Sequence, residues 1–293
     1  MIRRIFGNLY FLTFLNGFLL ASLLYLKMEA SYENELFQAI RTDINSKIKA
    51  SESEDSVLVH ILHESHALML NRESVFEGKE FGGIKSDLIE PASIDLMTAR
   101  GACGSYSVVL ARILQEYKYD VRIAQMKAYG VFAKHNIVEA KTSHGWVVLD
   151  PLFDIYFINP ANKLAGFEEI KNNWAYYTSQ LPPGYDMNYR YEDVRYTNWT
   201  KIPILLPAVK KILDWTIGKQ AADTISFRVF FLKKYNICFS IFGVIFIFVF
   251  AITLVKLLKA KVFPQKNIPV TFANVYKYTR LRFFDKGYTS SKA

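Results

Sequence analysis

Cysteine is nearly missing from this sequence. Its 293 residues include two, Cys103 and Cys238, which cannot build a disulfide framework. Cys238 also lies in an uncharged apolar run, so no bridge to Cys103 is expected. There is no phosphate-cradling glycine motif, which argues against a P-loop or dinucleotide-binding domain. No internal repeat is visible. Acidic residues are scarce at the ends: residues 256–293 hold nine Lys or Arg against one Asp, and Arg3 and Arg4 open the chain. Setting these ends aside from the net charge of +9 leaves a middle close to neutral. The basic balance therefore belongs to the flanks. It speaks for membrane topology and against nucleic acid as a partner.

Charge is absent from two long runs. Residues 5–26 carry none, with Gly7, Asn8, Asn16 and Gly17 as interruptions. Residues 236–255 carry none either, are rich in Phe and Ile, and are followed at once by Lys256, Lys259 and Lys261. Each run is long enough to span a bilayer as a helix. No Ala-x-Ala sequence follows the first, so an uncleaved anchor is expected rather than a signal peptide. Arg3 and Arg4 precede the first run, while only Lys27 follows closely, among Glu29, Glu33 and Glu35. Lys233 and Lys234 precede the second, against Lys256, Lys259, Lys261 and Lys266 after it. Both comparisons put the termini in the cytoplasm and the middle across the membrane. In a bacterial host that is a two-pass inner-membrane protein with a periplasmic domain. The expected organisation is an anchor over 1–30, a folded domain over 31–200, a juxtamembrane segment over 201–234, a membrane helix over 235–258 and a basic cytoplasmic tail over 259–293. Amphipathic helices are expected over residues 31–48, leaving the membrane, and 202–217, near the bilayer. A further helix is expected over 57–70.

The chemistry concentrates between Arg100 and Pro151. Cys103 sits among Gly101, Ala102 and Gly104, and Tyr106, Val109, Leu110, Ile113, Leu114 and Tyr117 then recur on one helical face. A thiol at the N-terminus of a buried helix meets unpaired N–H groups and the favourable end of the dipole, which stabilise a thiolate. His135 and Asp150 fall on two runs that read as strands. A hairpin with Lys141, Thr142, Ser143 and His144 as its loop puts His135 opposite Asp150, within side-chain reach. The carboxylate can then fix the tautomer of the imidazole and support its cation, leaving the other ring nitrogen to the thiol.

Gly-x-Cys before a helix, His135 followed four positions later by Glu139, and Trp146-x-x-x-Asp150-Pro151 together resemble the transglutaminase-like core of the papain-like thiol enzymes. Val121-Arg122-Ile123 fits that family's Arg-bearing strand, and the resemblance covers roughly residues 55–160. It implies a membrane-anchored bacterial member with an α+β fold, its Cys-bearing helix packed on an antiparallel sheet. It also implies acyl transfer from an amide: Cys103 attacks, His135 moves the proton and Asp150 orients His135. The acceptor is water, giving a protease or amidase, or an amine, giving cross-linking. The expected partner besides the bilayer is a peptide or protein substrate, or an envelope glycan. No cofactor is required, and calcium has no recognisable site. Two departures stand out. Asn136 replaces the aromatic residue that often follows the motif His, and no Gln near Met97 offers the oxyanion donor of papain-type enzymes.

The alternative from another class is a non-catalytic membrane scaffold binding peptide or glycan. Trp174, Tyr176, Tyr177, Tyr185, Tyr189, Tyr191, Tyr196 and Trp199 could supply its stacking surface, or simply pack over the core. His60, His63 and His66 recur at steps of three, but no second cluster completes a metal site.

Overall fold

A computed structural model of the chain describes residues 8–76, 79 and 89–262. Arg3, Arg4 and the basic tail from 263 onward lie outside the described residues. In order the elements are α1 (Leu9–Lys47), α2 (Glu54–Phe76), α3 (Ala92–Thr98), α4 (Cys103–Glu116), β1 (Val121–Ala128), β2 (Val131–Thr142), β3 (Gly145–Asp150), β4 (Ile155–Tyr156), α5 (Phe167–Asn172), α6 (Trp174–Tyr177), β5 (Val194–Arg195), α7 (Leu205–Ile217), α8 (Lys219–Asp223), α9 (Phe227–Phe230) and α10 (Lys234–Val262). Helices are thus combined with one antiparallel sheet.

Two compact units result. The first joins α1 as far as Leu20 to α10 from Gly243 onward. Leu12, Leu19 and Val249 are buried there, while Phe14, Phe18, Ile247, Phe248 and Phe250 point outward. An apolar exterior on a hydrogen-bonded helix fits lipid rather than water. One polar contact ties the pair: Asn16 Nδ2 donates to Thr253 Oγ1 at 2.8 Å. Both α1 and α10 are long and apolar enough to cross a membrane.

The second unit comprises Ala21–Phe242. The expected boundary at residue 30 falls inside α1, which runs unbroken for 39 residues. Nothing between Leu26 and Lys47 stops a helix, since the stretch lacks both Gly and Pro. Its later turns bury Phe37 and Ile44 against the folded domain.

The sheet order is β4-β3-β2-β1-β5, with every pairing antiparallel. Alternation sends Ile123, Val138, Ala140, Val147 and Leu149 to one face, where α1 to α4 close the larger core. On α4, Tyr106, Val109, Leu110, Ile113 and Leu114 are fully buried. Each such side chain stabilises the fold by about 1.5–3 kcal/mol. The opposite face carries Ala124, Met126, Ile137 and Val148, which pack under Phe157, Tyr177, Tyr191 and Tyr196. The tyrosine-rich stretch is therefore in good part a second core.

Two hairpins set the sheet. Tyr129 and Gly130 both have positive φ, 52° and 76°, which a two-residue turn matched to strand twist requires. The second hairpin pairs Thr142 with Gly145, so its loop is Ser143-His144 rather than the expected four residues. Val138 pairs with Leu149 and Glu139 with Val148, two positions away from the expected register. A shift of two keeps each side chain on its face. His135 and Asp150 thus stay on one side of the sheet without standing opposite each other.

Residues 201–234, expected as a juxtamembrane segment, also touch the sheet edge. Ser226 Oγ accepts from Ile123 N at 3.1 Å and donates to Ile123 O at 2.9 Å, closing the β1 edge beyond β5. The adjoining α9 is anchored by that contact.

Candidate active site

Cys103 is the first residue of α4. Its backbone N–H lies outside the helical ladder, whereas that of Gly104 already donates to Gly101 O at 2.9 Å. The turn that delivers it is tight: Ala102 has φ 41°, a conformation that stores about 1–3 kcal/mol of strain in a non-glycine residue. Gly101 leaves room that a larger residue lacks, because a Cβ there would lie 2.6 Å from Ser105 Oγ. That hydroxyl accepts from Gly101 N at 2.9 Å and donates to Asp95 Oδ1 at 2.6 Å, fixing the approach to Cys103.

Strand β2 supplies the partners. Its pairing with β1 is interrupted between Met126 and Lys127, where His135 and Phe132 are the successive partners. The two extra residues, Ala133 and Lys134, form a bulge directly before His135, the kind of irregularity that re-aims a strand at a site. Cys103 Sγ lies 3.9 Å from Lys134 O. Asn136 Nδ2 donates to Cys103 Sγ at 3.3 Å, and the Asn136 backbone N–H and the His135 ring lie near enough to favour the thiolate.

His135 is 1% exposed and Asp150 is fully buried. Nε2 of His135 lies 2.6 Å from Asp150 Oδ2, which leaves Nδ1 for the sulfur. Asp150 is itself held. Its Oδ1 accepts from the backbone N–H of Leu152 at 3.2 Å and Phe153 at 3.4 Å, and Tyr191 Oη donates to Oδ2 at 3.3 Å. Phe153 and Tyr189 cover the imidazole with ring centroids 5.2 and 5.0 Å away. Thiol, imidazole and carboxylate thus form one connected row.

Electrostatics follow from these contacts. Burial opposes ionisation of Cys103, yet the hydrogen bond and charge of His135, together with the two Asn136 donors, outweigh it and lower the thiol pKa. Burial also disfavours the His135 cation, but the charge and hydrogen bond of Asp150, followed by those of Cys103, raise its pKa to about 10. The two shifts in opposite directions both favour a thiolate–imidazolium pair over the neutral one.

Four participants were not foreseen from sequence. Asn136 stood out only as a departure from a motif. Gln125 pairs with Asn136 on one side and with Arg195 on the other, and Arg195 Nε donates to Gln125 Oε1 at 2.9 Å. Arg228 of α9 donates from a guanidinium nitrogen to Asn136 Oδ1 at 3.0 Å. No local signal marks an arginine that reaches a site 92 residues upstream.

The remaining candidates take separate places. His60 meets Glu52 at 3.1 Å, His63 meets Asp154 at 2.7 Å, and His66 Nδ1 lies 3.0 Å from Pro151 O. Among the described residues no group of three or more His, Cys, Asp or Glu is placed to hold a metal. His144 lies by Asp55 at 3.5 Å, away from the row. Cys238 is a free thiol packed with Leu26, Ala30 and Tyr235. Arg122 makes a bidentate pair with buried Glu139 at 2.7 and 3.2 Å and stacks on Trp146 and Tyr196, a structural clamp across β1 and β2. No protein-family model, curated protein or solved structure matches the chain significantly.

Proposed function

We propose that the protein is a membrane-anchored thiol acyltransferase or hydrolase of transglutaminase-like type, with Cys103 as nucleophile, His135 as proton carrier and Asp150 as the group that orients it. The observation that carries this reading is the connected row from Cys103 through His135 to Asp150, with Nε2 and Oδ2 2.6 Å apart. The Cys-bearing helix on an antiparallel sheet agrees with a papain-like core. Cys103 sulfur forms a bond to an amide carbonyl carbon. The electron pair of the C=O moves onto oxygen, where the Cys103 N–H and the Asn136 amide are the donors at hand. The C–N bond then breaks, His135 gives its proton to the leaving amine, and a thioester remains. Water or a second amine, deprotonated by His135, attacks the thioester and returns the thiolate. Charge asymmetry around the two apolar runs supports a location of this domain across the membrane from the termini.

The test uses full-length protein in detergent and a panel of peptide amides, with amine release and incorporation of an added primary amine both followed by mass. Wild type turns over one class and Cys103→Ala none. Full activity in Cys103→Ala would sink the mechanism. A Cys103 that iodoacetamide labels no faster at pH 6.5 than a simple thiol would favour a non-catalytic scaffold.

A further inference from the structure

The nucleophile stands at one end of a polar row that crosses the sheet. Asn136, Gln125 and Arg195 are successive cross-strand partners on β2, β1 and β5. Cross-strand partners project to the same face, so the row leads from Cys103 to Arg195 over roughly two strand spacings, about 10 Å. Its contacts run along it: Asn136 Nδ2 to Cys103 Sγ at 3.3 Å, and Arg195 Nε to Gln125 Oε1 at 2.9 Å. Arg228 reaches in from α9, with 3.0 Å to Asn136 Oδ1. Lys127 and Arg195 also flank the Phe132 ring, at 6.0 and 5.0 Å from its centroid.

Both guanidiniums have a neutral amide oxygen as their observed partner. Among the described residues neither forms an ion pair with a carboxylate, unlike Arg122, which pairs with Glu139 at 2.7 Å. Each also keeps N–H donors beyond the one it spends on an amide. Arg228 is exposed as a residue, while its guanidinium is partly buried where it meets Asn136 beside Cys103. Two planar cations with open donors beside a nucleophile form an anion-recognising arrangement of the kind that favours arginine over lysine.

We propose that the acyl donor is acidic, carrying a carboxylate within about one residue of the scissile amide, and that Arg195 and Arg228 hold that carboxylate. This rests on the thiol-enzyme reading above and names its substrate class. A neutral or basic acyl group would leave both guanidiniums unengaged, and a basic one would be repelled. Arg228 has a second task as a positioning residue, since it orients the amide that donates to the sulfur.

The test reads the site without needing the natural substrate. Iodoacetate and iodoacetamide alkylate a thiolate in the same way: a sulfur–carbon bond forms, the carbon–iodine bond breaks and iodide leaves. They differ in that iodoacetate presents a carboxylate. Second-order rates at Cys103 are measured in full-length protein by mass spectrometry of its peptide, with glutathione as the reference thiol. The ratio of iodoacetate to iodoacetamide rates should exceed that of glutathione. Arg195→Gln and Arg228→Gln should each lower it by about two- to ten-fold, the range for losing one charge several ångström away near a protein surface. Arg195→Lys should retain most of it. Taking a ratio within each variant cancels any change in the thiolate itself. An unchanged ratio in both Gln variants, with brisk iodoacetamide labelling, overturns the acidic-donor proposal and spares the thiol mechanism. Failure of both reagents to label wild-type Cys103 overturns the mechanism and this proposal with it.

Discussion

His135 and Asp150 touch through Nε2 and Oδ2 at 2.6 Å although they are not partners in the β2–β3 ladder. Continuing the observed register would set Asp150 opposite Ile137. The carboxylate meets the imidazole on the diagonal instead, where two fairly long side chains can bridge the greater separation. Asp150 is aimed by the backbone N–H groups of Leu152 and Phe153, at 3.2 and 3.4 Å, so its orientation is fixed by the turn after β3.

Replacing either partner should uncouple the thiol. In His135→Ala the sulfur loses a hydrogen bond and a positive charge while staying partly buried. At pH 7 a thiol with an ordinary pKa is only about 3% ionised, so alkylation of Cys103 should slow by at least about ten-fold. Asp150→Asn should slow it less, because the imidazole remains while its support as a cation is lost. Equal rates in wild type and His135→Ala would show that the imidazole does not activate the sulfur.

The pH dependence follows from the two shifts. A lowered Cys103 pKa contributes stability that is present above the unfolded thiol value, about 8.5, and is lost as pH falls through the folded value. A raised His135 pKa contributes stability that is complete below the unfolded value, about 6.5, and is lost as pH rises through about 10. Between the folded Cys103 value and about pH 8.5 the thiol's rising contribution opposes the falling one of His135, and above about 8.5 stability falls until about pH 10. Removing the thiol in Cys103→Ala removes that opposition, and the alkaline decline then begins unopposed near about pH 6.5. Thermal unfolding of wild type and variant across pH 5–10 checks this, and coincident profiles would contradict the ion pair.

Much of this site was legible because its members are local in sequence. Cys103 announces itself through small residues followed by an apolar helical face, and that face is fully buried. The hairpin carrying His135 and Asp150 was also legible, but its register was not. The pleat repeats every two residues, so face alone cannot separate registers two positions apart, and loop length decided the matter. Arg195 and Arg228 were invisible for a different reason. They come from β5, two residues long, and α9, four residues long, which are placed by tertiary contacts such as Ser226 on Ile123 and have no periodicity to read. The contact that residues 201–234, expected as a juxtamembrane segment, make with the sheet edge was hidden for the same reason.

Arg122 offers a stability prediction independent of catalysis. Its partner Glu139 is fully buried, so Arg122→Ala strands a carboxylate without its countercharge. Such losses cost about 3–5 kcal/mol. Arg122→Ala/Glu139→Ala should cost less than the single Arg122 variant, since no unpaired charge remains. Chemical or thermal denaturation of the single and double variants gives the comparison, and a double variant weaker than Arg122→Ala would argue that packing on Trp146 and Tyr196 dominates.

The orientation in the membrane can be tested separately. Lysine and arginine are retained on the cytoplasmic side of short flanks, because moving them across the bilayer opposes the insertion bias. Arg3 and Arg4 stand outside the first apolar run, and Lys256, Lys259, Lys261 and Lys266 stand outside the second. The inner flanks hold Lys27 among three glutamates, and Lys233 with Lys234. Both runs therefore favour termini inside. On the proposed two-pass topology the Cys103 domain lies on the far side, which in a bacterial host is an oxidising compartment. Alkaline phosphatase fused after Gln220 should be active in such a host, because it folds only once exported, and fused after Ala293 it should be inactive. The reverse pattern would place Cys103, His135 and Asp150 in the cytoplasm and limit their substrates to those found there.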